Sequence, residues 1–236
     1  FTNSVYMRLK KEVKDLKFIM CPTLYFGEKP LDYHYELGEK ILPEIEIMWT
    51  GPKVCSERLE VNDAKMISEV FRRPVLYWDN YPVNDSAMAP ELHIGPYTGR
   101  SGELYKYSSG LVLNPMSMAY ASFIVMNSVA DYFEKKESFE SVSSWKASIK
   151  KIVPECYEEF IDFAKANLKS PICLDSSAFV KKMMDEFKKL FDNYERVNAG
   201  ELLIKMGKRI CKNYYSIMKT VNNKLLGDIK TWLYEY

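Results

Sequence analysis

The sequence lacks several features that would assign it to a class of protein at once. Its five cysteines are widely scattered and never paired as CxxC, which argues against a disulfide framework and against a zinc site. No apolar run approaches the roughly 18 residues of a transmembrane helix, and no signal-peptide pattern opens the chain. An excess of charge is also missing, because 33 Lys and Arg against 32 Asp and Glu leave a formal net charge of +1. Neither nucleic acid nor an anionic membrane is therefore expected as a partner.

Apolar and aromatic residues are abundant instead. Hydrophobic residues make up 47% of the 236 positions, which is enough for a globular chain with one large domain or two smaller ones. Aromatic residues make up 14%, including 17 Tyr. Such a surplus suits a groove for carbohydrate or peptide, although the filling of a core accounts for most of these rings more simply.

The two ends of the sequence indicate a piece of a longer chain. The first residue is Phe1 rather than Met, and a helical pattern follows it directly. The last helical stripe runs to Tyr236 without a capping signal. We expect the natural chain to extend beyond both ends, which leaves its cellular compartment open.

Residues 1–115 alternate between helical patterns and short apolar strands. The helical patterns cover residues 2–16, 32–42, 62–72 and 104–107, and the strands that follow them cover residues 18–21, 45–49, 74–78 and 111–113. The helix at 62–72 has Asn62 or Asp63 as its expected N-cap. Strict alternation of this kind predicts parallel β/α units. Four such units are half of a (β/α)₈ barrel, whose complete form takes about 250 residues.

From residue 116 onwards the strand signals stop, and apolar residues recur at helical spacing. A helix is expected to open at Pro115, the favoured first position, and a polar break is expected at 137–144. Two long stripes follow: Phe179, Met183, Phe187, Phe191 and Tyr194, and then Leu203, Met206, Ile210, Tyr214, Ile217, Val221, Leu225 and Ile229. Such stripes are typical of helix–helix cores rather than of cofactor sites. The sequence thus predicts an α/β domain at 1–115 and an all-α helical bundle at 116–236.

The most distinctive stretch is the octapeptide WDNYPVND at residues 78–85, at the end of the third strand. Its two carboxylates, two carboxamides and two aromatic rings suit a polar, ring-shaped ligand such as a sugar, held by hydrogen bonds and stacking. The carboxyl ends of strands are also where α/β proteins place their chemistry. Asn, Asp and Pro are ordinary turn formers as well, so the octapeptide alone leaves a plain turn equally open.

Five motifs lie at the ends of strands or in the loops that follow them. They are CPTLY at 21–25, WTGPKV at 49–54, WDNYPVND at 78–85, LHIGPYTGR at 92–100 and NP at 114–115. In this order and spacing they resemble glycoside hydrolase family 84, the β-N-acetylglucosaminidases and O-GlcNAcases, whose bacterial members were often named hyaluronidases. The resemblance covers residues 1–130, and it implies the second half of a TIM (β/α)₈ barrel followed by a helical bundle. Secretion is expected if the source is bacterial.

The resemblance implies removal of terminal β-linked N-acetylglucosamine from a glycan or glycoprotein, without a metal or organic cofactor. In this family the 2-acetamido oxygen of the substrate attacks the anomeric carbon and forms an oxazoline. The resemblance also implies substrate-binding roles for eight residues. Tyr25 is expected to donate a hydrogen bond to the acetamide oxygen, and its methyl group is expected to be surrounded by Trp78, Thr50, Val54 and Cys21. Asn80 is expected to contact the amide and the reacting centre, and Asp85 and Asn114 are expected to contact sugar hydroxyls.

Each of these residues also has a simpler structural explanation. Trp78 fits an ordinary core, Cys21 fits a small buried hydrophobe, and Asn114 fits a helix cap. The histidines His34 and His93 are isolated in the sequence, and His93 is expected to be a loop residue rather than an acid or base.

The sequence departs from the family in one respect. The adjacent Asp-Asp pair that supplies the family's general acid and base does not occur in it. The first residues match the helix that follows this pair, so the pair is expected upstream and the chain alone is expected to be inactive. A half barrel leaves two open sheet edges, which predicts association with the missing N-terminal half or with a second copy. The alternative is a non-catalytic sugar-binding or protein-interaction module.

Overall fold

The computed structural model describes residues 1–173, 177–193 and 197–236, which form two compact units. The sheet unit comprises Phe1–Tyr81, Thr98–Asn114 and Lys135–Phe139. The helical unit comprises Pro82–Tyr97, Pro115–Glu134 and Glu140–Tyr236.

The sheet unit is built on a four-stranded parallel sheet in the order β1-β2-β3-β4. The strands are β1 (Phe18–Met20), β2 (Ile45–Trp49), β3 (Val75–Asp79) and β4 (Ser108–Leu113), and they alternate with α1 (Thr2–Leu9), α2 (Asp32–Lys40), α3 (Val61–Phe71) and a 3₁₀ turn at Leu104–Lys106. The parallel β/α alternation predicted from the sequence is therefore confirmed. Strand β4 begins three residues earlier than expected, at Ser108.

Two details of the predicted helices are wrong. The first helix ends at Leu9 instead of reaching residue 16, because the following residues form turns and Asp15 has a left-handed φ of 56° that no α-helix contains. Val13, inside the predicted helical range, is 44% exposed. The N-cap of α3 is Glu60, and its side chain makes no capping hydrogen bond. The predicted caps lie inside the helix, which starts at Val61.

The two faces of the sheet differ in what they contact. Alternate residues of the strands, including Ile47, Trp49 and Tyr77, pack with Ile67 and Phe71 of α3 in a buried core. Since successive side chains point to opposite faces, Trp78 and Ile19 lie on the other face. Ile19 is 46% exposed there. The second face thus presents apolar side chains that the core does not use.

The helical unit contains α4 (Ala119–Lys135), α5 (Ser141–Ile152), α6 (Tyr157–Ala166), α7 (Ser177–Asp192), α8 (Val197–Thr220) and α9 (Asn223–Glu235). Helix α8 packs against α6, α7 and α9, and a buried apolar core joins α4, α5, α6, α8 and α9. The predicted helical character of this part is confirmed. No helix among the described residues is long and apolar enough to cross a bilayer.

Helix boundaries in this unit also differ from the prediction. Helix α4 begins at Ala119 rather than at Pro115. At its start, the Asp228 carboxylate accepts hydrogen bonds from the N–H groups of Tyr120 and Ala121 at 2.7 and 3.0 Å. An acceptor at this point satisfies N–H groups that the first helical turn leaves without partners.

The stripe from Leu203 to Ile229 spans two helices instead of one. The side chain of Asn222 caps α9 by accepting a hydrogen bond from Lys224 N at 2.9 Å. The stripe that starts at Phe179 lies on α7 as predicted, whereas its last member, Tyr194, is outside the described residues.

Helix α2 lies very close to α3 at Gly38, where a Cβ would lie 2.1 Å from the carbonyl oxygen of Val70. We expect Gly38→Ala to lower the free energy of unfolding by about 1–3 kcal/mol or more, because backbone must move to admit the methyl group. The control is Gly207→Ala in α8, which has open space around it and is expected to gain about 0.5–1 kcal/mol. Urea titrations of both variants measure the difference, and equal effects would contradict the prediction.

Candidate functional site

Four of the predicted site residues follow the four strands directly. Cys21 follows β1, Thr50 follows β2, Asn80 follows β3 and Asn114 follows β4. Because the strands are parallel, their carboxyl ends meet at the same edge of the sheet. The sheet therefore gathers one polar or small side chain from each strand at this edge.

An aromatic pair forms part of this edge. The rings of Tyr25 and Trp78 have their centroids 5.6 Å apart at an interplanar angle of 35°. Both residues are half-buried. The loop of Tyr25 is fixed to the end of β2, since its carbonyl oxygen accepts a hydrogen bond from Thr50 N at 2.9 Å. Thr50 itself is buried, and its hydroxyl donates to Lys53 O at 2.8 Å.

A relay of side-chain amides joins three strand ends. The Nδ2 of Asn114 donates to Oδ1 of Asn80 at 3.0 Å, and Nδ2 of Asn80 donates to Val54 O at 2.8 Å. These two bonds fix the orientation of the Asn80 amide, because its oxygen must face Asn114 and its nitrogen must face Val54. Asn80 is 7% exposed. The explanation of Asn114 as a helix cap is wrong, because the next helix begins at Ala119.

Cys21 and Val54 occupy the same edge with more exposed side chains, so the explanation of Cys21 as a small buried hydrophobe is wrong. The thiol of Cys21 lies 3.7 Å from Pro22 O, and its partial burial raises the pKa of the thiol above the ordinary value. A thiol with a raised pKa stays protonated, which suits a wall better than a nucleophile. Val54 joins the relay through its backbone, while its side chain is 38% exposed.

Asp85 belongs to the helical unit rather than to the sheet unit. It is exposed and immediately precedes a 3₁₀ turn at Ser86–Met88, which is closed by a hydrogen bond from Met88 N to Asp85 O at 2.9 Å. The next residue, Ser86, has a positive φ of 50°. Asp85 is thus exposed to solvent at the start of a tight, irregular turn.

A buried ion pair lies behind this edge and is not apparent in the sequence. Asp79 is 2% exposed, although the octapeptide suggests it as one of the groups that hold a ligand. Its carboxylate instead accepts hydrogen bonds from Nε and Nη2 of Arg100 at 2.7 and 2.5 Å. The other N–H groups of Arg100 donate to the carbonyl oxygens of Ser56, Glu57 and Thr98. Strand alternation could have indicated this pair. It places Asp79 on the face opposite Trp78, and a carboxylate that is buried on that face needs a partner.

Glycine lets the loops around this pair approach each other. A Cβ on Gly99, which has a φ of 76°, would lie 2.2 Å from the carbonyl oxygen of Glu57. The carbonyl oxygen of Gly99 accepts a hydrogen bond from Leu59 N at 2.8 Å. The segment that carries Arg100 is therefore fixed against the loop after β2.

The two histidines have structural partners. Nδ1 of His34 accepts from Leu31 N at 2.9 Å, and its Nε2 donates to Leu24 O at 3.0 Å. His93 is a buried loop residue, as expected, and it contacts Val83 and Glu91. Within residues 1–173, 177–193 and 197–236, no group of three or more His, Cys, Asp or Glu side chains is placed to hold a metal ion.

Comparison with known proteins gives consistent results. A family described as beta-N-acetylglucosaminidase matches residues 1–165. The proteins named Protein O-GlcNAcase from Rattus norvegicus and Mus musculus are each 34% identical over 139 residues, which is 56% of this chain and 15% of theirs. The structure of a mutant of the Thermobaculum terrenum O-GlcNAc hydrolase matches with a TM-score of 0.88 at 28% identity, covering 99% of this chain and 50% of that one.

The chain spans about half of that solved structure and a smaller part of the rodent proteins. The family match nevertheless extends over most of the sequence and includes all five strand-end motifs. The chain therefore belongs to the beta-N-acetylglucosaminidase family, glycoside hydrolase family 84.

Proposed function

We propose that the chain is part of a glycosidase that removes terminal β-linked N-acetylglucosamine from glycans or glycoproteins. The observation that carries the proposal is the pairing of the Tyr25 and Trp78 rings at the same sheet edge as the amide relay of Asn80 and Asn114. An acetamido sugar presents a planar amide, a methyl group and several hydroxyls. Aromatic faces and oriented amides complement these three features.

In the proposed reaction the acetamide oxygen of the substrate forms a bond to the anomeric carbon while the glycosidic bond breaks. A carboxyl group protonates the leaving oxygen, and the same group then removes a proton from the water that opens the oxazoline. A second carboxylate takes the acetamide N–H proton as the oxazoline forms and returns it when the ring opens. Tyr25 would donate to the acetamide oxygen, and Trp78, Thr50, Val54 and Cys21 would surround its methyl group. The attack is intramolecular because both groups belong to one sugar, and these side chains would hold the acetamide oxygen in the geometry that reacts with the anomeric carbon.

Three further side chains are assigned to the substrate, two of them to its hydroxyls. Asn80 would contact the acetamide region and the reacting centre, and Asn114 would contact a sugar hydroxyl. Asp85 would accept hydrogen bonds from the hydroxyls at O4 and O6. An ionised carboxylate offers acceptors only, so it suits a pair of hydroxyl donors.

In this proposal the chain forms only part of a (β/α)₈ barrel. The described sheet has β1 and β4 at its two edges, and Ile19 and Val112 are 46% and 41% exposed on the face opposite the helices. An open edge and an uncovered apolar face support a half barrel at 1–115, completed by an N-terminal half or by a second copy. The acid–base Asp pair would lie in that N-terminal half, and the helical bundle would occupy 116–236.

A second candidate is a non-catalytic sugar-binding or protein-interaction module. The observation that favours it is a set of exposed apolar side chains on two amphipathic helices. Met184, Phe187 and Phe191 of α7 are 58%, 45% and 58% exposed. Leu202 and Ile204 of α8 are 45% and 58% exposed.

Calorimetric titration with an N-acetylglucosamine-derived thiazoline, a mimic of the oxazoline, tests both candidates. We expect no binding by the chain alone, and we expect binding together with hydrolysis of an aryl N-acetylglucosaminide once a separately expressed N-terminal half is added. Asp85→Asn in the mixture should weaken binding. Hydrolysis by the chain alone would contradict the half-enzyme proposal, and binding by the chain alone that Asp85→Asn removes would favour the module.

A further inference from the structure

The Asp85 loop, residues 82–97, is grouped with the helices of the bundle in one compact unit. Its regular structure is limited to the 3₁₀ turn at Ser86–Met88. The φ of 50° at Ser86, directly after Asp85, is a left-handed conformation that costs of order 1–3 kcal/mol in a residue other than glycine. Contacts elsewhere in the unit must therefore hold the loop in this shape.

Two tryptophans of the bundle donate hydrogen bonds to the backbone of this loop. Nε1 of Trp232 in α9 donates to Pro90 O at 2.9 Å, and Nε1 of Trp145 in α5 donates to Ile94 O at 2.7 Å. Trp145 and Ile94 are 3% and 0% exposed, so the second bond is shielded from water. An indole N–H can only donate, and a carbonyl oxygen of the loop is its partner in both cases.

Apolar side chains of the Asp85 loop also attach it to the helical bundle. Leu92 and Ile94 are part of the buried core of the helical unit, together with Trp145, Ile149 and Leu233. A loop that buries two aliphatic side chains in a helical core cannot shift without opening that core. The end of the loop is thus fixed to the bundle by packing as well as by hydrogen bonds.

A third attachment runs from Lys169 to the residues that precede Asp85. Lys169 Nζ lies 2.7 Å from Oε1 of Glu91, and Oε2 of Glu91 lies 3.1 Å from Nε2 of His93. Nδ1 of His93 lies 2.8 Å from Val83 O, and Nδ2 of Asn84 donates to Glu91 O at 2.7 Å. Burial raises the pKa of Glu91, but the hydrogen bonds from Lys169 and His93 more than offset this and hold it below its ordinary value. Glu91 therefore remains a carboxylate that can pair with Lys169.

We infer that the helical bundle positions Asp85 for the sugar, and that Trp145, Trp232 and Lys169 are positioning residues that act through the backbone of the Asp85 loop. The inference rests on the proposed function, in which Asp85 binds sugar hydroxyls. It gives the helical domain a role in substrate affinity, since the carboxylate that recognises the hydroxyls is oriented from α5, from α9 and from the segment after α6.

The test uses the parent protein with both halves of the barrel. Trp232→Phe and Trp145→Phe keep an aromatic ring and remove the N–H donor, and we expect each to raise the Kd of the thiazoline and the KM of an aryl N-acetylglucosaminide about 3- to 10-fold, with kcat changed less. Lys169→Met tests the third attachment at a side chain that is 73% exposed, outside the core. Tyr234→Phe, on α9 with 58% exposure, is the matched control and should change neither constant.

A double-mutant cycle separates positioning from a general loss of stability. If Trp232 and Lys169 act through Asp85, the effects of Trp232→Phe and Lys169→Met should fall to less than about twofold in an Asp85→Asn background. Undiminished effects in that background would overturn the inference. The inference would also be overturned if Trp232→Phe and Lys169→Met left the Kd unchanged while Asp85→Asn weakened binding. In that case the proposed role of Asp85 would stand. If Asp85→Asn itself has no effect on binding, that role fails and the inference fails with it.

Discussion

Arg100→Met is expected to lower the free energy of unfolding of the sheet unit by about 3–5 kcal/mol, because it leaves the Asp79 carboxylate buried without its partner. The side chains of Arg100 and Asp79 are 1% and 2% exposed. The variant also removes the donors to three loop carbonyl oxygens. Urea titration followed by tryptophan fluorescence measures the loss, and hydrogen exchange should increase first in residues 50–57 and 78–81.

The matched control for this prediction is Arg72→Met. Arg72 pairs with Glu39 at 2.7 Å, but the two side chains are 63% and 55% exposed. Exposed pairs contribute about 0–1 kcal/mol, so the control should lose little stability. A loss below about 1 kcal/mol for Arg100→Met would contradict the prediction that the buried pair contributes more to stability than the exposed one.

A double variant separates the charge from the hydrogen bonds. Arg100→Met combined with Asp79→Leu removes both charges, and replacing a buried ion pair by apolar residues of similar volume is often neutral. Recovery should nevertheless be partial here, since the carbonyl oxygens of Ser56, Glu57 and Thr98 still lack their donor. Complete recovery would mean that those three bonds contribute little.

The sequence was sufficient for features that depend on neighbours along the chain. The four strands and the loops after them were predicted from short apolar runs that end in Asn, Asp, Pro or Gly, and the parallel arrangement followed from their alternation with helices. Helical periodicity likewise identified α7 and α8. The boundary at residue 115, the half barrel and the individual roles of the site residues remain predictions.

Features set by distant residues could not be predicted in this way. The start of α4 is set by Asp228, which is 108 residues from Tyr120 along the chain. The Asp85 loop contacts Trp145 and Trp232, and the second of these bonds spans 142 residues. Periodicity indicates which face of an element is apolar, but it does not identify the side chain that caps or pairs with it. The partner of Asp79 required the fold for the same reason.

Asn80→Asp in the parent protein is expected to weaken thiazoline binding by about 10- to 100-fold, although it preserves the shape of the side chain. The amide nitrogen of Asn80 lies 2.8 Å from Val54 O, and an ionised carboxylate would place a second acceptor there. Asn114→Asp should also weaken binding, because it turns the donor that faces Oδ1 of Asn80 into an acceptor. If the Asn80 amide rotated to compensate, its oxygen would then face Val54 O.

Asn193→Asp is the control for these two variants. Asn193 Nδ2 also donates to a backbone carbonyl, that of Lys189 at 2.7 Å, but the residue is exposed and water can replace the lost bond. Binding by Asn193→Asp should equal that of the unaltered protein. A similar loss in all three variants would contradict the relay.

The pH dependence of Asn80→Asp tests whether the negative charge of the introduced carboxylate causes the loss of binding. The introduced carboxyl group becomes a donor when it is protonated, at or above the ordinary pKa of about 3.9 because its site is buried. A protonated group can donate to Val54 O again while it accepts from Asn114. Thiazoline affinity relative to the unaltered protein should therefore recover as the pH falls from about 7 towards 4. A constant ratio across that range would contradict the ionised carboxylate as the cause of the loss.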